Sequence, residues 1–355
     1  MSLQAQPYIH LQQQIMYQKG VKHLCDNGLT HVPNKYILPE PERSQNLVVD
    51  GCIDLPVIDF AQLQGADRPQ VLASISRACQ EFGFFQLENH GIANETIGKM
   101  LDVCKRFFEL PFEERQRYMS SDLYAPVRYG TSFNQNIDSV FCWRDFLKLS
   151  CHPMQDFASL WPSSPFDLRE AVGDYSTKTR HLYQRVMEGI LESLGVMNET
   201  AMSEEGNQLM MANWYPECPQ PQLTLGLPPH SDYGLLTLLL QDQVEGLQVQ
   251  HKDKWVTVKP IPNSFVVNIG DQFEIFSNGR YKSVVHRVAV NSMRSRLSVA
   301  SLHSLHINRN VTPSAKLIDE SNPRVYRDTS FADFLDYLSS SNFKSKRFLE
   351  SRKLY

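Results

Sequence analysis

From Gln208 to Leu305 the chain is a succession of short apolar runs, LLTLLLQ, LQVQ, WVTVKP, SFVVNIG and RLSVASL, separated by Pro, Gly, Asn and Asp. Several short strands at regular spacing are the pattern of a β-sandwich or barrel. The first half reads differently. LPVIDF predicts a short buried strand. Val71, Ile75, Ala78 and Cys79 recur at helical spacing from Arg68 to Phe82, and the helix stops at Gly83, where FFQLEN follows as a strand. A second helix runs from Asn94 or Glu95 to about Phe108 and is broken at Leu110-Pro111. The stretch from Tyr118 to Trp161 reads as an aromatic loop region, and a long helix fits Leu168 to Leu194. Ile9 to Leu24 and Phe331 to Leu349 also read as helical. The expected class is mixed α/β (α+β) in one compact unit. Its expected parts are an extension over 1–50, a mainly helical region over 51–205, a β core over 206–310 and a helical region over 311–355.

Charge and cysteine usage narrow the partners. The formal net charge is −4, so there is no basic field to hold a phosphate backbone, and nucleic acid is not expected. Seven cysteines stand singly with no C-x-x-C pair, the pattern of free thiols in a reducing compartment. No basic start leads into an apolar run, no stretch is long enough to span a bilayer, and SRKLY is not a peroxisomal signal. The expectation is a cytoplasmic monomer that acts on a small molecule and binds no membrane.

His230-Ser231-Asp232 opens the β-rich half. In an extended segment, residues two apart share a face, so an imidazole and a carboxylate converge. A third ligand comes from His286, which follows SNGRYKSVV, where Asn278-Gly279 predicts a hairpin turn and a strand leading to the histidine. Two histidines and one carboxylate on one face of an octahedron leave three positions open, which suits iron(II). H-x-D alone is a weak pattern in a chain with 11 histidines. A second cluster strengthens it. Arg296 and Ser298 share a face of RLSVASL, and a guanidinium beside a hydroxyl can take a carboxylate. Asn213 and Tyr215 in NWYPECPQP can face the same space.

In order along the chain, N-x-Y-P, H-x-D, H and R-x-S resemble the plant 2-oxoglutarate/Fe(II)-dependent dioxygenases. LPVIDF, CQEFGFFQLENHG, FFELPFEER and IGDQFEIFSNGRYKSVVHR are similar to other stretches of that family, and the likeness covers roughly 30–350. The resemblance implies a double-stranded β-helix, or jelly roll, with helices outside. It implies iron on His230, Asp232 and His286. It implies 2-oxoglutarate on Arg296 and Ser298, assisted by Tyr215, with Asn213 near the chelating end. It also implies O2 as oxidant, ascorbate as reductant, succinate and CO2 as products, and no separate catalytic base.

YGTSFNQNIDSVFCWRDFLKLSCHPM resembles the subgroup of salicylate hydroxylases of the downy-mildew-resistance type and flavonoid oxygenases. This implies hydroxylation or desaturation of a flavonoid or other phenolic of plant specialised metabolism. Phe133, Phe146, Lys148, Met211, Leu302 and Ser304 are candidates for the substrate pocket. Oxidation of an alkaloid, terpenoid or hormone stays open. So do two other classes, a silent jelly-roll binding protein and a zinc hydrolase. Trp214, where many relatives carry tyrosine, should point away from the iron.

Overall fold

The computed structural model of the protein describes residues 19–46, 54–132, 138–197, 206–340 and 347–355. Its strands are β1 (Val57–Asp59), β2 (Phe84–Glu88), β3 (Val127–Thr131), β4 (Asp145–Ser150), β5 (Gly206–Tyr215), β6 (Leu227–His230), β7 (Leu236–Gln241), β8 (Leu247–His251), β9 (Lys254–Thr257), β10 (Phe265–Ile269), β11 (His286–Val288) and β12 (Arg296–Leu305). Eight form one sheet in the order β1-β2-β10-β7-β12-β5-β4-β3, and four form another in the order β6-β11-β8-β9. Every pairing is antiparallel except β1 with β2. A small apolar cluster, with Leu55, Phe84, Leu247, Val249 and Val266, joins the two sheets. This is the jelly roll, and all five apolar runs of the second half are strands in it.

The main helices are α1 (Val21–Asp26), α2 (Arg68–Glu81), α3 (Asn94–Glu109), α4 (Leu168–Leu194), α5 (Asp271–Phe276) and α6 (Phe331–Ser340). In α3, Ile97, Met100, Cys104, Phe107 and Phe108 form one buried stripe. α4 ends where Gly195 turns left-handed, at φ 81°, and Val196 N–H caps the Leu191 carbonyl at 2.9 Å. Of these, α2, α3 and α4 pack against the large sheet, on β1 and β2, on β5 and β12, and on β7 and β12 respectively. Along β12, Leu297 and Val299 belong to the shared core, while Ser298, Ala300 and Leu302 face the cavity between the sheets. Each fully buried Leu, Val or Phe contributes about 1.5–3 kcal/mol, so this alternation fixes the register.

Three local readings change. The stretch from Tyr118 to Trp161 holds β3 and β4. β4 is buried on both faces from Asp145 to Leu149, so it carries no polar alternation to read. Half of the large sheet's strands, β1 to β4, therefore come from the first half of the chain. Asn278-Gly279 is not a hairpin turn. It caps α5, with Gly279 N–H on the Glu274 carbonyl at 2.8 Å, and the strand begins only at His286. Asn-Gly supplies the positive φ that either structure needs, so the pair alone does not choose. Finally, the described helix near the N-terminus is Val21–Asp26; the earlier part of the predicted Ile9–Leu24 helix lies outside the described residues.

Asp145 ties this helix to the sheet. Its carboxylate accepts from Val21 N–H at 2.8 Å, Lys22 N–H at 3.1 Å and the Tyr129 hydroxyl at 2.8 Å. Gly20 makes the approach possible, since a Cβ there would lie 2.7 Å from Asp145 Oδ2.

Candidate active site

β6 and β11 are adjacent, and their register sets His230 directly opposite His286. Asp232 follows two residues beyond His230, just past the end of β6. His230 Nε2 and His286 Nε2 lie 3.8 and 3.7 Å from Asp232 Oδ1. The three ligand atoms lie within 4.8 Å of one another. Each imidazole is turned by a backbone carbonyl on its other nitrogen: His230 Nδ1–H donates to Pro228 at 2.8 Å, and His286 Nδ1–H donates to Val284 at 3.2 Å. Both Nε2 lone pairs are thereby free to coordinate. Burial, then the neighbouring His286, pushes His230 down to about 3, so it is neutral at physiological pH. Burial opposes the charge of Asp232, but the imidazoles and two hydrogen bonds outweigh it and hold the carboxyl below its usual range. Those bonds, from Thr237 Oγ1 at 2.5 Å and Asn268 Nδ2 at 2.9 Å, both end on Oδ2. Oδ1 is left for a metal. The donor set is that of a three-coordinate face, and it fits iron(II).

The second cluster sits across the cavity. β12 and β5 pair Arg296 with Tyr215 and Ser298 with Asn213. Arg296 is 2% exposed. Its Nε donates to the Val244 carbonyl at 3.1 Å and Nη2 to Gln241 Oε1 at 2.8 Å, while Nη1 has no partner among the described residues. The hydroxyls of Ser298 and Tyr215, also buried, make no hydrogen bond among the described residues. A buried guanidinium with an open N–H beside two unpaired hydroxyls fits a carboxylate. Glycines clear the space: a Cβ at Gly246 would lie 2.9 Å from Arg296 Cδ, and one at Gly226 would lie 2.6 Å from the Tyr215 ring.

Both clusters line one cavity of about 330 Å³. Phe146, Lys148, Met211, Leu302 and Ser304 line it too, so all the described pocket candidates come together there; Phe133 lies outside the described residues. The sheet lattice explains this. Lys148 pairs with Met211, and Leu302 pairs with Leu209 and Thr237. Asn213 lines the same cavity, where its Oδ1 accepts from Arg144 at 3.1 Å and its amide donates to the Met211 carbonyl at 3.2 Å. Trp214 points away from the site and stacks on Phe108 at 5.9 Å. Thr237, Asn268, Arg128, Arg144, Phe331 and Phe334 line the cavity and were not singled out from the sequence. Only Arg144 carried a signal there, two residues ahead of Phe146 on the same strand face.

Open coordination positions facing an arginine with an unengaged Nη1 call for a chelating dicarboxylate, and that need defines a class: non-haem iron(II) oxygenases driven by a 2-oxo acid. Comparison with known proteins gives the same answer. Residues 206–304 match the 2OG-Fe(II) oxygenase superfamily, and residues 55–164 match the family described as non-haem dioxygenase in morphine synthesis N-terminal. Protein DMR6-LIKE OXYGENASE 2 of Arabidopsis thaliana is 40% identical over 91% of this chain and 94% of its own length. Flavanone 3-dioxygenase 2 of Oryza sativa subsp. japonica is 42% identical over 90% of this chain and 93% of its own. The solved structure of JOX2 in complex with 2OG, Fe and JA superposes with a TM-score of 0.86 at 33% identity, covering 95% of this chain and 98% of that one. The chain belongs to the 2OG-Fe(II) oxygenase superfamily. It is a dioxygenase that uses iron(II) and 2-oxoglutarate, and no helix among its described residues is long and apolar enough to cross a membrane.

Proposed function

We propose that this dioxygenase oxidises a flat phenolic or flavonoid metabolite, with His230, Asp232 and His286 on iron and Arg296, Ser298 and Tyr215 on 2-oxoglutarate. The observation that carries the assignment is the unpartnered Arg296 Nη1 beside two free hydroxyls, across the cavity from the His–Asp–His face. A ferrous ion held there would supply the oxidative decarboxylation of 2-oxoglutarate to succinate and CO2 by O2, coupled to oxidation of the substrate by the same O2. The protein's own groups position and exclude. Thr237 and Asn268 fix which Asp232 oxygen is offered to the metal. Arg296 anchors the distal carboxylate, which orients the 2-oxo acid end toward the histidines. Phe146, Met211 and Leu302 give an apolar wall on which a ring system can rest and from which water is excluded. No side chain is asked to act as a general base. The relatives named as flavanone dioxygenase and DMR6-like oxygenase support the substrate class. The six described cysteines are all free, which supports a reducing, cytoplasmic setting, and a monomer completes the reading.

The test is incubation with iron(II), ascorbate, 2-oxoglutarate and a pool of flavonoids, phenolic acids, coumarins and alkaloids, with His230→Ala as control. A product from the phenolic members that gains oxygen or loses hydrogen, and that needs His230, is the expected result. A product drawn only from the alkaloids would overturn the substrate class. Absence of iron-dependent succinate would overturn the oxygenase site itself.

A further inference from the structure

Two cations in the cavity wall are left over once the cosubstrate is placed. Arg144 precedes β4 and Lys148 lies in it, so Arg144, Phe146 and Lys148 share the inner face of the strand. Arg144 is 4% exposed. Its Nη1 donates to Asn213 Oδ1 and its Nη2 to the Ser132 carbonyl at 2.8 Å, while Nε has no partner among the described residues. Among the described residues Lys148 Nζ donates only to the Leu123 carbonyl, at 2.6 Å. All these acceptors are neutral. Among the described residues neither cation has a carboxylate within ion-pair distance.

The surroundings sharpen the imbalance. Arg128 pairs with Lys148 across the strands, lines the same wall and has partners of its own. The acids that act on these groups are Asp122, toward Lys148 and Arg128, and Asp138, toward Arg128; neither lines the cavity. Asp232 is the one acid of the cavity lining among the described residues, and it is committed to the metal. Of the cosubstrate's two carboxylates, one is answered by the metal and the other by Arg296. Burial, then Arg128, pushes the Lys148 ammonium down to about 8, the mark of a charge without a counter-ion. A bracing role for Arg144 would need a hydrogen-bond donor but no charge, and it would leave Lys148 on the same face unexplained. The Phe146 ring holds the arrangement, with the guanidinium carbons of Arg144 and Arg128 at 5.1 and 5.2 Å from its centre.

We propose that Arg144 and Lys148 form a second carboxylate subsite, separate from Arg296, that binds an acid group on the substrate. The proposal rests on the oxygenase reading above and narrows its substrate from phenolics in general to ring compounds that carry a carboxylic acid. A neutral flavanone would leave both cations unanswered.

The protein, loaded anaerobically with manganese(II) and 2-oxoglutarate, is offered matched acids and primary amides: cinnamate with cinnamamide, salicylate with salicylamide, 2-naphthoate with 2-naphthamide. Retention is read by native mass spectrometry, and 2-oxoglutarate affinity is measured on the same samples. Retention of at least one acid about tenfold or more over its amide is expected. That preference falls about tenfold in Arg144→Gln and in Lys148→Met, and Arg144→Lys recovers part of it. Equal retention of acids and amides, whether high or nil, overturns the subsite. So does an Arg144→Gln variant that loses 2-oxoglutarate affinity as strongly as acid affinity, because the bound carboxylate is then the cosubstrate's. Failure of the oxygenase reading shows separately, as no iron-dependent succinate from the unmodified protein.

Discussion

His230 and His286 stand opposite each other as register partners on β6 and β11, and their Nε2 atoms meet the same oxygen of Asp232 at 3.8 and 3.7 Å. Strand pairing, rather than loop placement, thus brings together two ligands 56 residues apart in the chain. The carboxylate is held from behind by Thr237, on β7, and Asn268, on β10. Removing one of these bonds should loosen the metal without unfolding the sheet. Thr237→Val is expected to weaken iron(II) binding about 10–100-fold, measured by anaerobic titration, with secondary structure intact by circular dichroism. Unchanged affinity would mean that Asp232 needs no such support.

The anion site should divide into a strong and a moderate contribution. Arg296→Gln removes the charge that faces the distal carboxylate, and a loss of about 2–5 kcal/mol is expected, read as a rise of thirtyfold or more in the KM for 2-oxoglutarate. Ser298→Ala removes one hydrogen bond to a charged group and is expected to cost roughly 1.5–3 kcal/mol. If Ser298→Ala matched Arg296→Gln, the guanidinium would not be the anchor.

Gly226 tests the same site through its packing. A methyl group there would come within 2.6 and 2.8 Å of the Tyr215 ring and 3.1 Å of Val290, side chains that can shift. Gly226→Ala is expected to fold, to displace the phenol, and to raise the 2-oxoglutarate KM roughly 3–30-fold, less than Arg296→Gln does. A KM equal to that of the unmodified enzyme would remove Tyr215 from the binding account.

Lys148 should leave a pH signature in stability. It titrates at about 8 in the folded chain, against 10.5 for an exposed lysine. Between those values the unfolded chain holds a proton that the folded chain has lost, so stability rises with pH through that window. Below about 8 the buried charge is carried in full. Lys148→Met is therefore expected to gain about 1–3 kcal/mol at neutral pH, in urea unfolding, with the gain shrinking as pH approaches about 10. A gain that grew with pH would contradict the burial of a charged amine.

What the sequence disclosed follows from how local each signal is. His230 with Asp232, and Arg296 with Ser298, were legible because each pair is two residues apart in extended chain; His286 was found from the order that resembles a known family, since the hairpin expected to lead to it is a helix cap. The cavity face of β12 followed from period-two spacing, so Leu302 and Ser304 were found with it. Thr237 and Asn268 were not legible. They reach the site through the register of β7 and β10, and no spacing within one strand encodes a neighbour on the next. β4 was missed because burial on both faces erases polarity alternation, and the cap at Asn278-Gly279 was misread because a helix end and a hairpin ask for the same backbone. Asn213 was placed with Tyr215 by spacing and family order, neither of which shows that Arg144 donates to its carbonyl.

One cavity brings iron and 2-oxoglutarate together on His230, Asp232, His286 and Arg296, the arrangement we propose for this chain. Anaerobic titration of iron(II) and 2-oxoglutarate, followed by the visible charge-transfer absorption of their chelate, tests it directly. The expected absorption saturates at one iron per chain, is abolished in Asp232→Ala, and in Arg296→Gln forms only at much higher 2-oxoglutarate. An unmodified protein with no such absorption, or an Asp232→Ala variant that keeps it, would contradict the account.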